Sequence, residues 1–147
     1  MVEIVIEPFY IERYEDVYAL WDRCTGVGLS SADAPDSIAS YLERNPGMSF
    51  IALAESNVIG AILSGHDGRR GYIHHLAVDE VYRRRGIGEQ LVKRCLAALE
   101  EAGIQKCHLF IFHENEDGIA FWKANGWTLR QDIMVMSVNL DGRVPGT

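Results

Sequence analysis

The sequence predicts an α/β fold in which helices pack on one mixed sheet, the α+β kind of arrangement. Three observations carry this. Tyr72-Ile73-His74-His75-Leu76-Ala77-Val78 reads as a strand. It leads through a polar turn into Arg83-Arg84-Arg85-Gly86-Ile87-Gly88 and then a helical pattern. In that pattern Ile87, Leu91, Val92, Cys95, Leu96 and Leu99 recur at helical spacing, while Glu89, Gln90, Lys93, Arg94, Glu100 and Glu101 cover the other face. Gly103 stands where a glycine stops a helix.

The other elements follow in order. Val2 to Phe9 alternates as a first strand, closed by Pro8. Tyr14, Val17, Tyr18 and Trp21 mark one face of a first helix. Thr25 to Ala34 is rich in Gly, Ser and Asp and reads as a loop. Pro35 suits the first turn of a second helix carrying Ile38, Tyr41 and Leu42. Phe50 to Ala54 is an apolar strand, Ser56-Asn57 a turn, and Val58 to Leu63 the next strand. Asp67-Gly68 signals a hairpin, so the Tyr72–Val78 strand is expected antiparallel to its predecessor. Beyond the central helix, Lys106 to Phe112 reads as a strand and Asn115 to Asn125 as a helix closed by Gly126. Trp127 to Arg130 and Ile133 to Leu140 read as final strands, and Arg143 to Thr147 as a frayed tail. The predicted order is β-α-α-β-β-β-α-β-α-β-β. Residues 1–147 are expected to form a single domain.

Composition narrows the function. Of 147 residues, 48% are hydrophobic and 24% charged, an ordinary globular balance. No apolar run approaches the roughly 20 residues of a membrane span. The N-terminus lacks a basic region and enters a strand directly, so no signal peptide is visible. Cys24, Cys95 and Cys107 are odd in number and scattered, which points to reduced thiols in a cytoplasmic protein and to no metal site. A net charge of −7 argues against nucleic acid, favours a cationic partner such as an amine, and also serves solubility.

The strand–turn–helix unit is a device for holding an anion. The first N–H groups of a helix lack intrahelical partners, and the helix dipole is positive there. Gly86 and Gly88 carry no Cβ, and Arg83, Arg84 and Arg85 add charge, so a phosphate or pyrophosphate is the natural guest. A P-loop needs Gly-Lys-Ser/Thr, but Glu89-Gln90 follow Gly88. A dinucleotide fingerprint needs a third glycine. The pattern Arg/Gln-x-x-Gly-x-Gly/Ala is filled by Arg83, Gly86 and Gly88. Together with Leu76-Ala77-Val78-Asp79 upstream, it resembles the acetyl-CoA signature of the GCN5-related N-acetyltransferases (GNAT). The segment Gly65 to Gly71 is similar to that of small single-domain bacterial members, and Asn115 to Trp127 resembles the family's fourth helix. The likeness covers essentially the whole chain.

That resemblance implies acetyl transfer from acetyl-CoA to an amine, small-molecule or peptide. It implies pyrophosphate on the backbone of Arg84, Arg85, Gly86, Ile87, Gly88 and Glu89, and the pantetheine arm along Leu76, Ala77 and Val78. It also implies a contact of Asn115 with that arm; the same Asn is a natural helix N-cap. A histidine two positions before Leu-Ala-Val is catalytic in arylalkylamine members, and His74 holds that position. His75 adjoins it. Neighbouring strand residues point to opposite faces, so one of the two is expected to face the cleft unless a bulge intervenes. Many members carry a Tyr acid where this chain has Trp122, whose indole is no acid. Trp122 packs either on the cofactor arm or in the core. Tyr72, Tyr82 and Glu114 are unranked substitutes for the acid, and a CoA-binding sensor without catalysis is the alternative Trp122 favours. No residue pattern identifies the amine, and a homodimer is left open.

Overall fold

A computed structural model describes residues 2–142. The chain divides into two compact units, one ending at Glu114 and one beginning at Asn115. The tail expected at Arg143 to Thr147 lies outside the described residues.

The first unit is a five-stranded sheet with helices on both faces. Its elements are β1 (Ile4–Pro8), α1 (Tyr14–Arg23), α2 (Pro35–Arg44), β2 (Phe50–Ala54), β3 (Asn57–His66), β4 (Gly71–Val78), α3 (Ile87–Glu101) and β5 (Cys107–Leu109). The strands lie in chain order. The first four are antiparallel neighbours, and β4 and β5 are parallel. Pro35 occupies the first turn of α2, where its missing N–H costs nothing.

The periodicities select the two faces. Val17, Leu20 and Trp21 of α1 are fully buried in one cluster with Ile38 of α2 and Ala61, Leu63 and Ala77 of the sheet. On the other face α3 buries Ile87, Leu91, Val92, Cys95 and Leu99. Glycines in β3 mark how closely the helices approach. A Cβ on Gly60 would stand 3.2 Å from Leu91 of α3, and one on Gly65 only 2.5 Å from Asn45 beyond α2. Asn45 also accepts a hydrogen bond from the His66 N–H and donates to the Tyr41 carbonyl. The β3–β4 hairpin forms at Asp67, whose carboxylate accepts the N–H groups of Arg69 and Arg70. Those bonds hold its pKa below the usual range. The preceding turn sits at Glu55-Ser56, one residue earlier than expected, both with positive φ.

The second unit contains α4 (Glu116–Ala124). Gly126, at φ +90°, follows its end, and the Trp127 N–H returns to the Trp122 carbonyl. The expected strands at Trp127–Arg130 and Ile133–Leu140 are not formed among the described residues. Met134, Met136 and Leu140 there are each more than 90% exposed. Alternation is a local property, whereas a strand exists only through a ladder to a neighbour, so the pattern alone did not secure one. The same limit shortens β5, whose pairing stops at Leu109 with Phe110 and Phe112 exposed beyond it.

Replacing Gly65 with Ala should destabilise the fold by about 1–3 kcal/mol, since the new methyl overlaps the buried Asn45 amide. Urea unfolding checks this, and an unchanged midpoint would mean that α2 does not seat on β3 as described.

Candidate active site

The site starts from the ladder between β4 and β5. It joins Gly71 to Cys107, Tyr72 to His108 and Ile73 to Leu109, and then ends. β4 runs on to Val78. Its last five residues therefore have, among the described residues, a strand neighbour only in β3.

In the same stretch β4 carries a bulge. Leu63 pairs with His74 and Ala61 with Ala77, so Ile62 alone faces both His75 and Leu76. His75 takes up the extra length at φ +53°, a conformation uncommon outside glycine. The bulge overturns the expectation that the two histidines point to opposite faces. The His74 ring lies 6.1 Å from Tyr41 of α2, the His75 ring 5.0 Å from Trp21 of α1, and the two imidazoles 6.4 Å apart.

Each histidine has its own surroundings. The His75 Nε2 stands 2.8 Å from Asp33 Oδ1, and the Trp21 indole N–H donates to the His75 carbonyl at 2.9 Å. Asp33 is 4% exposed. Its other oxygen accepts the Ser30 N–H at 3.0 Å, and its carbonyl accepts the Tyr14 hydroxyl at 2.5 Å. His74 is likewise partly buried. Burial, reinforced by the neighbouring His75, pushes its pKa below the ordinary histidine value, with Asp33 opposing weakly.

Downstream, Asp79 caps a short 3-10 turn at Glu80–Tyr82 and pairs with Arg23 at 2.8 Å. Arg84 and Gly86 both have positive φ, and α3 opens directly after Gly86 with no side chain capping its first turn. The N–H groups of Ile87, Gly88 and Glu89 thus precede the first intrahelical bond, which Gln90 makes to the Gly86 carbonyl. Residues 83–86 are exposed. Arg85 lies over the Tyr82 ring, whereas the Arg83 Nε is tied to the Val78 carbonyl at 3.0 Å. Arg83 therefore braces the turn against the end of β4.

Other predicted residues fall as follows. Asn115 caps α4, accepting the Gly118 N–H at 2.9 Å. Trp122 packs edge-on to Phe121 and Trp127 within the second unit. Tyr72 stacks on Phe110 at 6.2 Å. All three cysteines are free, and burial pushes the Cys95 thiol up to about 12 and the Cys107 thiol up to about 11, so neither is a ready nucleophile. Sequence reasoning missed Asp33 altogether, reading Thr25 to Ala34 only as a loop. A signal was present, since Ser30-x-x-Asp33 is a capping-box spacing and the reciprocal bonds of that box are made.

The site residues fit the cofactor of the resemblance. A glycine turn with an uncapped helix start and exposed arginines suits a pyrophosphate, and a strand with one free edge suits an amide-bearing arm. The family model of the acetyltransferase (GNAT) family matches residues 14–127. An acetyltransferase of Photorhabdus laumondii is 31% identical over 76% of this chain and 77% of its own. One of Sodalis glossinidius is 27% identical over 92% and 94%. Among solved structures, the paiA N-acetyltransferase of Thermoplasma acidophilum, in complex with coenzyme A, is similar in fold with a TM-score of 0.74. It is 19% identical and covers 87% of this chain and 91% of its own. The chain belongs to the GNAT family of acetyltransferases. It is thus an enzyme, and its cofactor is acetyl-CoA.

The His74 environment makes a stability prediction. Its folded pKa lies below the unfolded value of about 6.5, so the unfolded chain binds the extra proton first as pH falls. The stabilisation is complete above about 6.5 and is lost as pH drops from there toward the folded pKa. A His74→Gln variant should therefore lose melting temperature less steeply than the parent between pH 7 and pH 5. Parallel curves would contradict the burial of this ring.

Proposed function

We propose that this enzyme transfers acetyl from acetyl-CoA to a primary amine directly, in a ternary complex, with residues 1–147 acting as one acetyltransferase domain. The observation that carries the reading is the end of the β4–β5 ladder at Ile73 and Leu109 beside the histidine-bearing bulge. Bound acetyl-CoA supplies a thioester carbonyl that an amine can attack.

The chain's own groups divide the remaining work. The first-turn N–H groups of Ile87, Gly88 and Glu89, with Arg84 and Arg85, hold the pyrophosphate. The backbone of Leu76, Ala77 and Val78 lines the arm, and an N–H there polarises the carbonyl, the term that usually dominates acyl transfer. Asn115 and Trp122 are assigned to the cofactor arm on the resemblance alone. The acceptor must lose a proton, since a lysine-type amine has a pKa of about 10.4. His74, kept neutral by burial, and His75 are the bases within reach of that task. The departing thiolate needs no dedicated acid, because a thiol pKa near 8.5 makes it a tolerable leaving group. A net charge of −7 supports a cationic acceptor, and three free thiols support a reducing, cytoplasmic setting.

Two measurements test this. Gly88→Val places a Cβ in the first turn of α3; calorimetric affinity for acetyl-CoA should fall about tenfold or more, the equivalent of roughly 1.4 kcal/mol, with melting unchanged. Undiminished affinity would remove the anion site from this turn. On a panel of polyamines, amino acids and peptide N-termini, His74→Ala or His75→Ala should lower kcat/KM by about 10²–10⁴ at low pH. Raising the pH should restore activity, because the acceptor then arrives deprotonated. If both variants keep the parent pH profile, neither ring is the base.

A further inference from the structure

We propose that Asp33 is a positioning residue that fixes His75 in the tautomer protonated on Nε2, leaving Nδ1 as the proton-accepting atom. This rests on the acetyl-transfer reading above.

Asp33 is 4% exposed, and a buried carboxylate persists only with hydrogen-bond partners. It has two: the Ser30 N–H on Oδ2 at 3.0 Å and the His75 Nε2 on Oδ1 at 2.8 Å. An ionised carboxylate only accepts, so a neutral His75 must carry its proton on Nε2. The free lone pair of the ring is then on Nδ1.

The rest of His75 is held with equal care. Its carbonyl takes the Trp21 indole N–H at 2.9 Å, its ring packs edge-on to Trp21 at 5.0 Å, and its backbone stays at φ +53°. Left-handed backbone outside glycine costs roughly 1–2 kcal/mol per residue and persists only where surroundings enforce it. These restraints hold the His75 backbone and ring, and the Asp33 contact sets which ring nitrogen faces the carboxylate. The contact also spans 42 residues of chain, tying the loop between α1 and α2 to β4.

The chemistry follows from the charge. As the N–C bond forms and the thioester C–S bond breaks with its electron pair leaving on sulfur, the amine proton goes to Nδ1 and is later lost to solvent. Asp33 then faces an imidazolium, which it stabilises. The other titratable groups around the ring are His74, next on β4, which opposes a second charge, and the Tyr14 hydroxyl of α1, which bonds the Asp33 carbonyl.

The test uses the full chain and Asp33→Asn. The amide can still accept from Ser30 and can donate to Nε2, which would move the ring proton to Nδ1. Long-range ¹H–¹⁵N NMR, with His75→Gln to assign the ring, should show Nε2–H in the parent and Nδ1–H in the variant. The variant should lose about 10²-fold or more in kcat with the best amine. Its KM for acetyl-CoA and its melting temperature should stay near the parent's, a split that a merely structural contact would not produce. An Nδ1–H parent overturns the proposal whether or not Asp33→Asn folds. So does a variant with the parent's kcat and pH profile. If the parent acetylates no amine on the panel, the proposed function fails and takes the catalytic role of Asp33 with it, while the parent spectrum still decides the tautomer.

Discussion

Ile62 faces two residues of β4 instead of one, and the arrangement of the candidate site turns on that extra residue. A regular strand would alternate His74, His75 and Leu76 across the sheet and send one imidazole into the α3 side. The bulge keeps both rings on the face covered by α1 and α2. It falls where β5 has already left β4, so no ladder on that side opposes the bend.

Magnitudes show why the bulge holds. The left-handed residue costs about 1–2 kcal/mol. A net hydrogen bond contributes about 0.5–1.5 kcal/mol, and one to a charged group about 1.5–3. The Trp21–His75 and His75–Asp33 bonds are therefore enough to offset the strain. That makes Trp21 more than a core residue. It is fully buried, it fills the space above the sheet, and it holds the peptide whose geometry the site needs.

Much of this was legible in the sequence, for local reasons. The helices at Tyr14, Pro35 and Ile87 each announced a buried face through 3.6-residue spacing, and Asp67-Gly68 announced its hairpin. The glycine–arginine turn and the uncapped helix start after it were legible because glycine, arginine and a helical pattern fell within six residues. What failed was non-local. Ile133 to Leu140 is apolar enough to read as a strand, but composition supplies no neighbour to pair with. The bulge was invisible because the sequence His74-His75-Leu76 reads the same with or without it. Asp33 was missed because its importance lies in a contact 42 residues away, although its capping box with Ser30 was in plain sight.

The charge distribution reconciles two demands that conflict at first sight. A chain of net charge −7 should repel a polyanionic cofactor, yet Arg84 and Arg85 and an uncapped helix start sit together at residues 84–89. Screening decides the matter. At physiological ionic strength a charge is felt over about 8 Å, so a phosphate at this turn responds to its immediate cations and N–H groups rather than to the total. Two nearby acids are already engaged: Asp79 with Arg23, and Glu89 with Lys93. A local cluster of cations and free N–H groups thus coexists with a net acidic chain.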